Sequence, residues 1–198
     1  MSNNSSYRNG NFKCDKNSKD YFISQITDYV NATTPEWTVS WYGVNTIGNR
    51  DITGFEKVQL GTEDRTSRTD LIMELRKGSR VKSYMIELKE RWEKYDSDSL
   101  GCKGQEGWIY NIDKDRVLRF AATQGYIPLY VNVYKDGIVR IWNILNVKHI
   151  EEVEKPIKLQ NVVENSPRVP QKRYMIWNDE ATAIKDGEKI KRKDIDVW

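Results

Sequence analysis

The stretch Arg68-Thr-Asp-Leu-Ile-Met-Glu-Leu-Arg-Lys-Gly-Ser-Arg-Val-Lys-Ser-Tyr-Met-Ile-Glu-Leu-Lys-Glu90 decides the fold. It holds two apolar-rich runs separated by Gly78-Ser79, a dipeptide suited to a two-residue hairpin turn with glycine first. That turn pairs Lys77 with Arg80, and counting back sets Asp70 opposite Glu87. Opposed residues in such a ladder have Cβ atoms roughly 4.5–5.5 Å apart. Strand side chains alternate faces, so Lys89 joins Glu87 on the same side. The other face carries Leu71, Met73 and Leu75 against Tyr84, Ile86 and Leu88, which is a core. Two carboxylates and an ammonium then share one edge of an otherwise apolar hairpin, the arrangement of a divalent-metal site.

Composition narrows what that site can serve. The 198 residues suffice for one core, and the formal charge of +3 leaves nucleic-acid binding to local patches. Low mean hydropathy and the lack of a long apolar run argue against a membrane span. The polar start, residues 1–17, reads as a disordered lead without the apolar core of a signal peptide. Cys14 and Cys102 stand alone, which fits a reducing, cytoplasmic setting. His149 is the single histidine, which excludes paired-histidine nucleases, and it reads as a surface or half-buried residue. Three scattered Cys and His residues cannot supply a four-ligand structural zinc site.

Outward from the hairpin, Ser18 is placed to cap a helix running to about Asn31, with Phe22, Ile26, Tyr29 and Val30 on one face. Thr33-Thr34-Pro35 ends it, and Trp37–Val44 alternates as a strand. Residues 45–54 read as a loop and Phe55–Leu60 as a short strand. A helical turn is expected near Lys103. Asp113 reads as the cap of a second helix reaching Gln124, with Gly125 as its stop. Leu129–Tyr134 and Ile138–Ile144 form a second hairpin around Asp136-Gly137, a type I′ sequence. Ser166-Pro167 and Pro170 mark a loop, and Asp186-Gly187 a last small hairpin. Trp41, Trp142 and Trp177 read as core. The expected organisation is a lead over 1–17, a core over 18–145 and a β-rich C-terminal extension over 146–198.

The order helix, strand, strand with Asp70, strand with Glu87-Leu88-Lys89, helix, strand resembles the PD-(D/E)xK nuclease superfamily over roughly residues 18–134. The expected class is a mixed α/β fold, a restriction-endonuclease-like αβββαβ core with the C-terminal extension. The usual proline is Thr69 here. The resemblance implies a magnesium-dependent DNA endonuclease, with Mn²⁺ as a substitute, in which Asp70, Glu87 and the Leu88 carbonyl hold the metal. It gives Lys89 the water or the developing charge, as positioner or as base. An acidic residue of the first helix often completes such sites. Asp28 is the first candidate, with Asp20 and Glu36 behind it. One branch adds a helical glutamine with a tyrosine four residues on. Gln105 falls at a suitable distance, but Ile109 stands where that tyrosine belongs and Tyr110 follows it.

DNA must also be held. Arg91, Lys94 and Lys103 follow the site strand, with Trp92 and Tyr95 interleaved as packing aromatics. Lys189, Lys191, Arg192 and Lys193 form the densest basic run, fit for phosphate contact or for protecting a strand edge. Cutting both strands of a duplex points to a homodimer. The competing reading is a module that keeps the fold and binds nucleic acid or protein without hydrolysis.

Overall fold

The computed structural model describes residues 18–43, 69–91, 107–134, 137–158 and 168–190. The lead 1–17, the expected strand at 55–60 and the turn near Lys103 lie outside the described residues. The elements follow the order α1 (Ser18–Thr33), β1 (Thr38–Gly43), β2 (Leu71–Lys77), β3 (Arg80–Arg91), β4 (Gly107–Tyr110), α2 (Ile112–Thr123) and β5 (Ile127–Tyr134). Then come β6 (Val139–Asn143), β7 (Ile150–Lys158), β8 (Arg168–Trp177), β9 (Thr182–Lys185) and β10 (Glu188–Ile190). The fold is mixed α/β.

A seven-stranded sheet runs β1-β2-β3-β5-β6-β9-β10, and a three-stranded sheet runs β4-β8-β7. Only the β3–β5 pair of the large sheet is parallel. Such a pair needs a crossover, and β4 with α2 supplies it. β3 is internal, with Tyr84 to Glu87 buried without a break, as a strand covered on both faces requires. Alternation sends Leu71, Met73, Tyr84, Ile86, Val131 and Ile141 to the face packed by Phe22, Ile26 and Val30 of α1. Met85, Tyr130 and Trp142 go to the other face, where Leu118 and Ala121 of α2 and Ile176 of β8 cover them. Strands after residue 145 thus share both sheets with strands before it.

Several local expectations are met and several are corrected. The Gly78-Ser79 turn forms with Lys77 opposite Arg80. Gly78 has φ +58° and Ser79 has no positive φ, which fits type II′. Asp186-Gly187 also turns as expected, both residues having positive φ. Helix α1 continues past Asn31 to Thr33, because the Thr33 and Thr34 hydroxyls donate to the carbonyls of Tyr29 and Val30 at the frayed end. Ser18 is its first helical residue, and its hydroxyl donates to Glu90 on β3.

Helix α2 is capped by Asn111, not Asp113: the Asn111 side chain accepts the Asp113 N–H at 2.9 Å. The second hairpin closes on Tyr134 and Ile138, so three residues separate the paired ends where a type I′ turn would leave two. Pro170 lies in β8 opposite Pro156 of β7 and not in a loop. Among the described residues, the Arg168–Arg173 part of β8 pairs with β7 alone, and such an edge tolerates a residue without a backbone donor. Trp142 is fully buried, its indole N–H donating to the Trp177 carbonyl. Trp41 is half-buried edge-on to Phe22.

Candidate active site

The register Leu71↔Ile86 sets Asp70, the residue before β2, opposite Glu87, and the Asp70 N–H donates to the Ile86 carbonyl at 2.9 Å. The Asp70 carboxylate is tied down in turn: its Oδ2 accepts the backbone N–H of Leu88 at 2.7 Å. Glu87 sits on the α2 face with a side chain of 0% relative exposure. Lys89 Nζ lies 2.5 Å from Glu87 Oε1, and Lys114 Nζ, from α2, lies 2.8 Å from Oε2. Among the described residues neither carboxylate oxygen has a hydrogen-bonding partner beyond these ion pairs. The centre opens toward solvent at Lys89, whose side chain is 39% exposed.

The electrostatics follow from that burial. Loss of water pushes the Glu87 carboxyl above the usual carboxylate range, and the Asp70 charge pushes the same way. The Lys89 and Lys114 ammoniums oppose the rise without cancelling it. For Lys89 burial works against the ammonium, but the Glu87 carboxylate outweighs it and Asp70 adds to the pull, so its pKa is raised. Lys89 is therefore held protonated. Burial likewise raises the Tyr130 phenol, which stands beside Glu87 in the β3–β5 register.

The donor set can be tested against a hard dication. Two carboxylates on adjacent strands, one of them buried with no neutral donor on either oxygen, suit Mg²⁺ or Mn²⁺ completed by waters. Among the described residues no group of three or more His, Cys, Asp or Glu comes together, and this pair is the carboxylate share that those residues supply. The pair fits the ion.

Of the other sequence-derived candidates, Arg91 is nearby but engaged: its Nε donates to Asn132 Oδ1 and an Nη to the Tyr130 hydroxyl, both at 2.9 Å. Asp28 is exposed on α1, which packs against the opposite sheet face. It receives a hydrogen bond from Ser24 and lies against the Asp186-Gly187 turn, where a Cβ built on Gly187 would meet its Cβ at 3.3 Å. Glu36 pairs with Lys77 at the turn end of the hairpin. The first turn of α1 is the part that reaches the far end of β3, through Ser18 and Glu90. Lys189 stands in β10 at the edge of the large sheet. Lys94, Gln105, Lys103, Lys191, Arg192 and Lys193 lie outside the described residues. His149 is exposed, its Nδ1 3.1 Å from Glu180.

Lys114 is the residue that sequence reasoning missed. With Asn111 as cap, Lys114 is the third residue of α2. A cation in a first helical turn opposes the helix dipole, and that misplacement is the signal that could have found it.

Among the described residues no helix is long and apolar enough to cross a membrane. No family model and no curated protein matches the chain. Among solved structures it is similar to Hjc, a Holliday junction resolvase from the archaeal hyperthermophile Archaeoglobus fulgidus. The two are 12% identical, the match covers 75% of this chain and 88% of that one, and the TM-score is 0.34. A likeness at that level transfers no residue role.

Proposed function

We propose that this chain is a divalent-metal-dependent nuclease that hydrolyses phosphodiester bonds of DNA. The observation that carries the reading is the Asp70–Glu87 pair, set opposite by the hairpin register with the Lys89 ammonium on Glu87. Asp70 and Glu87 would hold Mg²⁺ or Mn²⁺, joined by the Leu88 carbonyl. The ion would supply Lewis-acid stabilisation of the phosphoryl oxygen and a more acidic bound water.

The protein's own share is clearer in its residues. The Leu88 N–H holds Asp70 in one orientation, so the carboxylate needs no reorganisation when substrate arrives. Lys89, paired with Glu87, would place and stabilise negative charge or act as base. Arg91 and the basic run that begins at Lys189 would meet the phosphates. A duplex cut on both strands needs two such centres, so the working unit is a homodimer, with residues 146–198 its first interface candidate.

A second reading, nucleic-acid binding without hydrolysis, is favoured by one observation: Glu87 is wholly buried and both its oxygens face lysines. Incubation of purified protein with supercoiled plasmid separates the two. Conversion to nicked or linear DNA with Mg²⁺ and not with EDTA supports the nuclease. Intact plasmid with a retained band shift supports the second reading.

A further inference from the structure

We infer that Lys114 is a built-in counterion that holds the metal-free site and competes with the divalent cation for Glu87. The inference rests on the metal-dependent reading above and adds a residue to it. Glu87 has two oxygens, and each is taken by a lysine from a different element, Lys89 of β3 and Lys114 of α2. The formal charges of Asp70 and Glu87 are matched by those of Lys89 and Lys114. A buried carboxylate without a partner would be costly, and the two lysines supply its counter-charge.

A dication held by Asp70 and Glu87 would need a lone pair from the Glu87 carboxylate and would bring two more positive charges beside both lysines. One ammonium must then give way. Lys89 lies on the site strand itself, is the more exposed of the two, and also feels Asp70. Lys114 is the one the dication replaces. It arrives from the first turn of a helix, where a cation is unfavourable, and its side chain is only 20% exposed. Its withdrawal also opens the buried Glu87 to the ion, which reconciles a fully covered carboxylate with a metal-binding role. Any group that stabilises the empty state weakens metal affinity by the same factor, so Lys114 sets how much metal the site requires.

Calorimetric titration of Mn²⁺ into the purified protein tests this without reference to cleavage. Lys114→Met should bind Mn²⁺ tighter by about tenfold, a close charge having been removed. Lys114→Arg should return affinity toward wild type. Arg116→Met, which removes an exposed charge from the same helix, should leave it unchanged. Glu87→Gln should abolish it. Equal or weaker binding by Lys114→Met, with wild type binding normally, overturns the inference and leaves the metal site standing. Binding in none of the variants removes the metal site as well.

A measurement on the unaltered protein covers the case in which Lys114→Met does not fold. The side-chain ammonium resonance of Lys114, protected from exchange by its ion pair, should be lost on adding saturating Mg²⁺. Its persistence overturns the inference.

Discussion

The Leu88 backbone N–H donates to Asp70 Oδ2 at 2.7 Å, so the residue between Glu87 and Lys89 is the one that orients the opposing carboxylate. Asp70→Asn keeps an acceptor for that N–H but removes the charge, whereas Asp70→Ala removes both. The alanine variant should lose about 1–3 kcal/mol in urea unfolding, the cost of a donor left without its partner. The asparagine variant should stay near wild type. Both should lose cleavage by about a hundredfold or more, as expected when a group facing the reacting charge is removed. Undiminished plasmid cleavage by Asp70→Ala would remove Asp70 from the site.

The buried Glu87 makes stability depend on pH in a stated direction. Its folded pKa is raised, so between the ordinary carboxylate range and that raised value the folded chain binds more proton than the unfolded one. Stability attributable to Glu87 is therefore present at acid pH and falls as pH rises through that window. Lys89, also raised, contributes stability that is lost only as pH climbs above the ordinary lysine range. Urea melts in EDTA across the acid-to-neutral range should show the wild-type advantage over Glu87→Gln shrinking as pH rises. An advantage that grows with pH would mean that the two lysines overcome the burial penalty.

The part of this site built by one hairpin was legible in the sequence, and the part built by tertiary contact was not. A two-residue turn fixes register locally, so Gly78-Ser79 alone put Asp70 opposite Glu87 and Lys89 beside it. The Asp186-Gly187 turn was readable for the same reason. Asn111 was passed over as a cap because Asp113, two residues later, is an equally good capping type, and the difference is decided by where β4 delivers the chain. Lys114 falls in the first turn with either cap, and what helix pattern does not reveal is that this turn packs against Glu87 of β3. The β4-β8-β7 sheet joins segments far apart in sequence, and Pro170, which suggested a loop, is compatible with a strand because that part of β8 pairs on one side only among the described residues. Asp28 looked suitable by its place on α1, but α1 covers the face opposite Glu87, and helix periodicity does not reveal which sheet face a helix will choose.

Assembly is open to direct measurement. If each chain carries one centre, double-strand cuts made in one binding event need two chains, so light scattering at working concentration should give a dimer mass near twice 23.3 kDa. A monomer that still linearises plasmid without a nicked intermediate would contradict this. Removal of residues 146–198 is not a clean probe of the interface, because β9 pairs with β6 of the main sheet. Surface substitutions on β7, where Glu151 and Glu152 are exposed, serve better.

The basic run from Lys189 separates holding DNA from cutting it. Lys189 lies on β10, the last strand of the seven-stranded sheet, whereas Asp70, Glu87 and Lys89 lie at β2 and β3, with β5, β6 and β9 between. Neutralising Lys189, Lys191, Arg192 and Lys193 together should therefore leave Mn²⁺ affinity unchanged. If the four contact phosphates, DNA affinity should fall, and each lost contact should reduce the slope of log affinity against log salt by about 0.9. Sequence preference should change little, since phosphate contacts position the protein and base contacts specify. The other role for lysines at an exposed edge strand is to block edge-to-edge pairing, which predicts the same DNA affinity with poorer solubility. Binding measured by fluorescence anisotropy across a salt series distinguishes the two, and an unchanged slope would assign the run to edge protection.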